Sequence, residues 1–211
     1  MEQNPIEASL VEPGHFGASQ DQIIYIENFV DASDLVKIQK FVETINEWEN
    51  PLPDTFDDDG DCIYEANYWW DRVCSGEIIK RLDTDIFNIV DRYIEKMAQV
   101  ISDKHNVSVH GRPPVLVRWT PGTEQAPHAD KQLNDGKPNP FPTYDINSII
   151  YWNDDFEGGE FYYPDYGLEF KIKAGMAVAH PGDVHYLHGV KRITAGVRWT
   201  TPSFYTITSI N

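Results

Sequence analysis

At position 107 the chain changes period. Before it, apolar residues recur at helical spacing. In "DASDLVKIQKFVETINEWE" (31–49), Leu35, Ile38, Phe41, Val42, Ile45 and Trp48 form one stripe, and Asp31 or Ser33 can cap the start. In "EIIKRLDTDIFNIVDRYIEKMAQVISDKHN" (77–106), Ile78, Leu82, Ile86, Ile89, Val90, Tyr93, Met97 and Val100 keep the same spacing, as one helix or two in tandem. After 107, short β-branched and aromatic runs alternate with Gly, Pro, Asn and Asp turns, from "VSVHGRPPVLVRWT" to "TAGVRWTTPSFYTIT". One earlier strand is read in "QIIYIENFV" (22–30). Helices followed by seven or eight short strands predict an α+β chain. Its β half is expected to be a sandwich or jelly roll, with the N-terminal helices packed on one sheet.

A chain of 211 residues is read as a single domain, large enough to bury roughly 70% of its unfolded surface. Residues 1–20 read as a flexible leader and 21–211 as the domain. The balance of 17 Lys and Arg against 34 Asp and Glu gives a net charge of −17, which repels phosphate backbones and anionic lipid heads. Nucleic acid and membrane surfaces are therefore not expected partners. Cys62 and Cys74 stand twelve apart with no CxxC spacing, which reads as two reduced thiols in a cytoplasmic protein. The start of the chain has neither a basic n-region nor an apolar core, and no run approaches ~20 apolar residues. The acidic run Asp57, Asp58, Asp59 and Asp61 surrounds Gly60. With Gly60 at loop position six, Thr55 and Ala66 fall on the first and last ligand positions of a calcium loop, where neither serves; a solvated acidic loop is the reading kept.

The chemistry begins at "PHAD". In an extended chain His128 and Asp130 project to one side, and Ala129 to the other. Two such groups can take adjacent positions on a metal ion, and a third must come from elsewhere. His180, His185 and His188 in "AHPGDVHYLHGV" are the late candidates. Two imidazoles and one carboxylate make the facial triad that suits non-haem Fe(II) with open positions. Ten residues beyond His188, Arg198 sits on an apolar strand. A buried guanidinium needs an anion, and its planar fork matches a carboxylate at two points. Thr200 faces the same way and can add a hydroxyl.

His128-Ala-Asp130, then "LHGV" with His188, then Arg198, resembles the Fe(II)/2-oxoglutarate-dependent dioxygenases, and within them the prolyl 4-hydroxylase-like branch. "RWTPGTEQAPHAD" (118–130), "SIIYWNDDFEGGEFYYP" (148–164) and "GMAVAHPGDVHYLHGVKRITAGVRWT" (175–200) are similar to that branch's segments, so the likeness is strong over about 107–205. It implies a double-stranded β-helix with a metal at its open end. It implies that His128, Asp130 and His188 bind Fe(II), and that Arg198, helped by Tyr151 and Thr200, holds the distal carboxylate of 2-oxoglutarate. Of the late histidines, only His188 has the ten-residue spacing to this arginine and the following Gly-Val. His185, three residues earlier, faces the other side of a strand, and His180 matches no ligand position.

The implied reaction is hydroxylation with O2, releasing succinate and CO2, with ascorbate supporting activity. The substrate implied first is a prolyl residue in a peptide or protein. Free proline or another small molecule is the alternative, and a silent jelly-roll binding module belongs to a different class. Trp119, Trp152 and Phe161 depart from the residues usual in the branch and are read as changes in the pocket wall. The polar stretch 131–143 and the long connection 50–76 are candidate lids. Oligomeric state is not read from the sequence.

Overall fold

A computed structural model of the chain describes residues 8–49, 54–56, 60, 62–64 and 71–211. Strands β1 (Ile24–Ile26), β2 (Thr55–Phe56), β3 (Cys62–Tyr64) and β4 (Val73–Ser75) and helices α1 (Ala32–Val42), α2 (Gly76–Leu82) and α3 (Thr84–His105) form the first half. Eleven strands follow. They are β5 (Val107–Gly111), β6 (Val115–Trp119), β7 (Gln125–His128), β8 (Ile146–Tyr151), β9 (Glu157–Gly158) and β10 (Phe161–Tyr163). Then come β11 (Leu168–Phe170), β12 (Ala177–Pro181), β13 (His188–Val190), β14 (Ile193–Ala195) and β15 (Arg198–Ile210). The acidic loop 57–59 with Asp61, and the centre of the 50–76 connection, lie outside the described residues.

Two antiparallel sheets carry the architecture. The larger runs β1-β12-β8-β15-β6-β4, with β5 also paired to β15; the smaller runs β11-β10-β13-β7. Alternation along each strand separates two cores. Ile146, Ile150, Ala177, Ala179 and Leu116 point outward and meet Ile38 and Phe41 of α1 and Ile86, Val90, Tyr93 and Met97 of α3. Val117, Trp119, Tyr151, Phe161, Tyr163 and Val190 point between the sheets. The arrangement is the expected one, a jelly roll with helices on one sheet.

The helical boundaries differ from the sequence reading for local reasons. The first helix stops at Val42 rather than Glu49. There Thr44 donates both its amide and its hydroxyl to the Phe41 carbonyl, closing the last turn. Ile45 and Trp48 continue the apolar stripe without helix: Ile45 is buried and Trp48 stacks on Trp199, 5.9 Å away. The second helical stretch is two helices. Asp83 is extended and its carboxylate accepts from the amides of Asp85 and Ile86, at 2.9 and 3.1 Å, starting α3 afresh.

On the last turn of α3, His105 packs against Phe16 with ring centroids 4.7 Å apart. Its Nε2 is buried with no partner among the described residues. Burial, with repulsion from Lys104, pushes its pKa down to about 4. The unfolded chain takes up a proton near pH ~6.5 that the folded chain refuses until about 4. Stability therefore falls as pH drops through that window. Because the ring is partly exposed, the loss is on the order of 1 kcal/mol. His105→Gln is expected to shrink, by that amount, the difference between urea unfolding free energies measured near neutrality and near the lower limit of the window.

Candidate metal centre and anion pocket

β7 and β13 are neighbours in the smaller sheet, and their register sets His128 directly opposite His188. The two rings lie 4.4 Å apart. After His128 the chain turns out of the sheet, and the amides of Asp130 and Lys131 both donate to the Gly182 carbonyl, at 3.0 and 2.9 Å. That turn swings the Asp130 carboxylate back onto the imidazoles. Its oxygens lie 3.6 Å from His128 Nε2 and 3.5 Å from His188 Nε2. One ligand atom from each of the three residues falls within 4.8 Å of the others.

The donor set fits a divalent cation. His128 Nδ1 lies 3.0 Å from the Ala126 carbonyl, and His188 Nδ1 3.0 Å from that of Tyr186. A carbonyl only accepts, so each Nδ1 carries a proton, and in the neutral ring that binds a metal each Nε2 presents a lone pair. Asn147 Nδ2 donates to Asp130 Oδ2 at 2.7 Å and orients it. Burial opposes ionisation of Asp130, but the facing imidazoles outweigh it and hold the carboxyl well below the usual range. Burial also drives His188 well below its ordinary value, so it is neutral. His128 differs: burial opposes its charge, yet the hydrogen bond and charge of Asp130 prevail and raise it. One anionic oxygen and two imidazole lone pairs leave several coordination positions open.

These groups line a cavity of about 690 Å³ whose inner wall holds Arg198, Thr200 and Trp119. Arg198 is 1% exposed, and none of its three guanidinium nitrogens has a hydrogen-bond partner among the described residues. It sits between the rings of Trp119 and Tyr151, 5.0 Å from each. The Tyr151 hydroxyl is likewise buried without a partner among those residues, and burial pushes its pKa up to about 12, which keeps it a donor. Thr200 Oγ1 accepts from Trp119 Nε1 at 3.3 Å, leaving its own proton to donate. Three kinds of donor with no acceptor among the described residues, beside a cation-binding set, make a place for a carboxylate.

The candidates read from the sequence sort by exposure and by face. His185 lies exposed on a 3-10 turn, Val184–Tyr186, and is not part of the cluster. Trp119 and Phe161 line the cavity, as expected. Trp152 does not. It directly follows Tyr151, the last residue of β8, and points the opposite way, under the helices, where its Nε1 donates to Thr201 Oγ1 at 2.9 Å. Sequence reasoning gave no role to His180 and Asn147, which face each other across β12 and β8 and line the cavity. The available signal was alternation: His180 stands two residues from the inward Val178. Gln125 was also missed; its Nε2 lies 3.1 Å from His128 Nε2 and covers that lone pair.

The stretch 131–143 supplies cavity wall through Gln132, Leu133, Asn134, Asn139 and Phe141. It is pinned beside the ligands, because Asn139 Nδ2 donates to the Asp130 carbonyl at 2.8 Å and Asn134 Nδ2 to that of Pro127 at 2.9 Å. Among the described residues no helix is long and apolar enough to cross a membrane.

No protein-family model matches the chain. A segment of 92 residues is 33% identical to prolyl 3-hydroxylase 2 of Rattus norvegicus, covering 38% of this chain and 13% of the relative's length. Among solved structures, the chain is similar to the 2OG complex of the viral collagen prolyl hydroxylase vCPH from Paramecium Bursaria Chlorella virus-1. That match has a TM-score of 0.55 at 13% identity, over 88% of this chain and 95% of the other. A Burkholderia pseudomallei oxidoreductase of the 2OG-Fe(II) oxygenase family matches with a TM-score of 0.53 at 16% identity, over 89% and 85%. A Trichoplax adhaerens prolyl hydroxylase, in complex with a hypoxia inducible factor oxygen degradation domain peptide fragment, matches with a TM-score of 0.54 at 17% identity, over 89% and 84%. Two antiparallel sheets with helices over one of them, shared along nearly the whole chain, give this protein the jelly-roll fold of the 2OG-Fe(II) oxygenases, prolyl hydroxylases included.

Proposed function

We propose that this chain is an Fe(II)- and 2-oxoglutarate-dependent hydroxylase acting on prolyl residues of a peptide or protein. The observation that carries the reading is the pairing, in one cavity, of a two-histidine, one-aspartate cluster with a buried guanidinium that lacks a partner among the described residues. His128, Asp130 and His188 hold the metal. Arg198 grips the distal carboxylate of 2-oxoglutarate, with Tyr151 and Thr200 as further donors. The bound Fe(II) and 2-oxoglutarate supply the oxidising power for hydroxylation by O2, with succinate and CO2 as co-products.

The protein's own part is geometric. The carbonyls of Ala126 and Tyr186 select the imidazole tautomers, and Asn147 fixes the carboxylate. Val117, Trp119, Phe161 and Val190 wall the cavity with apolar surface and exclude water from the reacting atoms. The vCPH and Trichoplax likenesses support a prolyl target, and the peptide bound by the latter supports a peptide or protein substrate over a free amino acid.

Incubation with Fe(II), ascorbate, 2-oxoglutarate and a panel of prolyl peptides and free amino acids is expected to give succinate and a +16 Da product on a peptide, read by mass spectrometry. Product only on a free amino acid moves the substrate to the small-molecule class. Metal and 2-oxoglutarate binding without any succinate, coupled or uncoupled, overturns the enzyme reading in favour of a binding module.

A further inference from the structure

The segment before β1 is fastened to the metal-ligand turns. Ser9 Oγ donates to Asp145 Oδ1 at 2.5 Å and accepts from Lys131 Nζ at 2.9 Å; the same Nζ donates to the Val11 carbonyl at 2.8 Å. Lys131 follows Asp130 directly. Its ammonium is 2.6 Å from Asp145 Oδ1, in an ion pair whose side chains are 6% and 0% exposed. Asp145 Oδ2 also accepts from the Ile207 amide at 2.8 Å. Val11 packs with Val107 and Ile207.

A second fastening lies on the other ligand segment. The Gly14 amide donates to Asp183 Oδ2 at 2.9 Å, and the Tyr186 hydroxyl donates to the Gly17 carbonyl at 2.6 Å. The carbonyl of that same Tyr186 receives Nδ1–H of His188. The two ligand segments meet at Gly182, whose carbonyl accepts from Asp130 and Lys131 and whose amide donates to the Asp145 carbonyl. A Cβ on Gly182 would meet the Tyr144 carbonyl oxygen at 2.0 Å, so this close approach needs glycine.

We infer that residues 9–19, with Lys131 and Tyr186, form a positioning strap that holds Asp130 and His188 at metal-binding separation. The inference rests on the metal-site reading above. Ligand separation depends on where the 130–131 turn and the 183–188 segment sit relative to each other. The strap bonds to both from outside the sheet. A buried ammonium leaves its end of the strap little freedom, because Lys131 loses two acceptors whenever Ser9 and Val11 leave. The strap reaches β15 at Ile207, on which Val11 packs, whereas Arg198 is the first residue of that strand, nine positions away, so cosubstrate anchoring is independent of the strap.

The test is a full-length Ser9→Ala/Tyr186→Phe variant, which removes one hydroxyl at each fastening and leaves every ligand in place. Mn(II) affinity by isothermal titration is expected to weaken about 10-fold, the scale seen when partners that orient metal ligands are lost. 2-Oxoglutarate affinity at saturating Mn(II) is expected to stay unchanged, and amide exchange at 130–131 and 183–188 to quicken. Unchanged Mn(II) affinity in a variant with quickened exchange overturns the strap. Equal loss of Mn(II) and 2-oxoglutarate affinity also overturns it, by indicating general loosening. Should the double variant fail to fold, Ser9→Ala alone is read by the same two affinities. A parent chain that binds no Mn(II) removes the metal-site reading itself, a result distinct from a difference between parent and variant.

Discussion

Asp130→Ala is expected to eliminate turnover and to lower metal affinity at least about 100-fold, while the metal-free chain keeps its fold. The carboxylate is the single anionic donor in the cluster, and even partners outside a coordination shell are worth ~10–100-fold. In the metal-free chain the balance is different. Asp130 is a desolvated anion whose imidazole neighbours stand 3.5 and 3.6 Å away. Its removal deprives Asn147 Nδ2 of an acceptor at 2.7 Å, a cost of about 1 kcal/mol, and the burial it relieves is offset by the attraction of the imidazoles it loses. Thermal melts with and without Mn(II) separate the two effects. The parent should gain stability on adding metal, whereas the variant should melt close to the metal-free parent and gain nothing. A variant that retains metal-dependent stabilisation removes Asp130 from the ligand set.

Arg198→Met is expected to raise the KM for 2-oxoglutarate by two orders of magnitude or more and to stabilise the free protein. Truncating one partner of a buried, hydrogen-bonded charge pair costs roughly 2–5 kcal/mol of binding, which sets the first effect. The second follows because the guanidinium is buried with no acceptor among the described residues. Its contact with the rings of Trp119 and Tyr151 offsets only part of its desolvation. An apolar side chain of similar length fills the space without that penalty, so unfolding free energy should rise by about 1 kcal/mol. Loss of cosubstrate binding together with a gain in stability marks a residue kept for its ligand. A destabilised variant with intact 2-oxoglutarate affinity would assign Arg198 to the structure instead.

Much of this architecture was legible along the chain, because the signals are local. Periodicity separated the helical first half from the β half, and the i, i+2 rule put Arg198 and Thr200 on one face of β15. Where local signals compete, the reading failed. Thr44 takes the Phe41 carbonyl and ends α1 early, although the apolar stripe runs on. Trp152 was assigned to the pocket, yet its neighbour Tyr151 occupies that face and alternation sends the indole beneath the helices. Residues 1–20 read as a flexible leader because their composition is polar and punctuated by Pro and Gly, and 9–19 fall within that stretch. Their contacts are to Lys131, Asp183 and Tyr186, more than a hundred positions away, and no local pattern announces such partners.

By itself, the sequence determined which donor atoms the chain possesses and how each stands within its own strand or helix, since backbone stereochemistry sets those directions over a few residues. Only the tertiary structure decided that His128 faces His188, that Asp130 folds back between them, and that Arg198 is enclosed between Trp119 and Tyr151. Those relations depend on strand register and on turns such as the one at Gly182. Both are fixed by many distant hydrogen bonds and apolar contacts acting together, whose sum no short stretch contains.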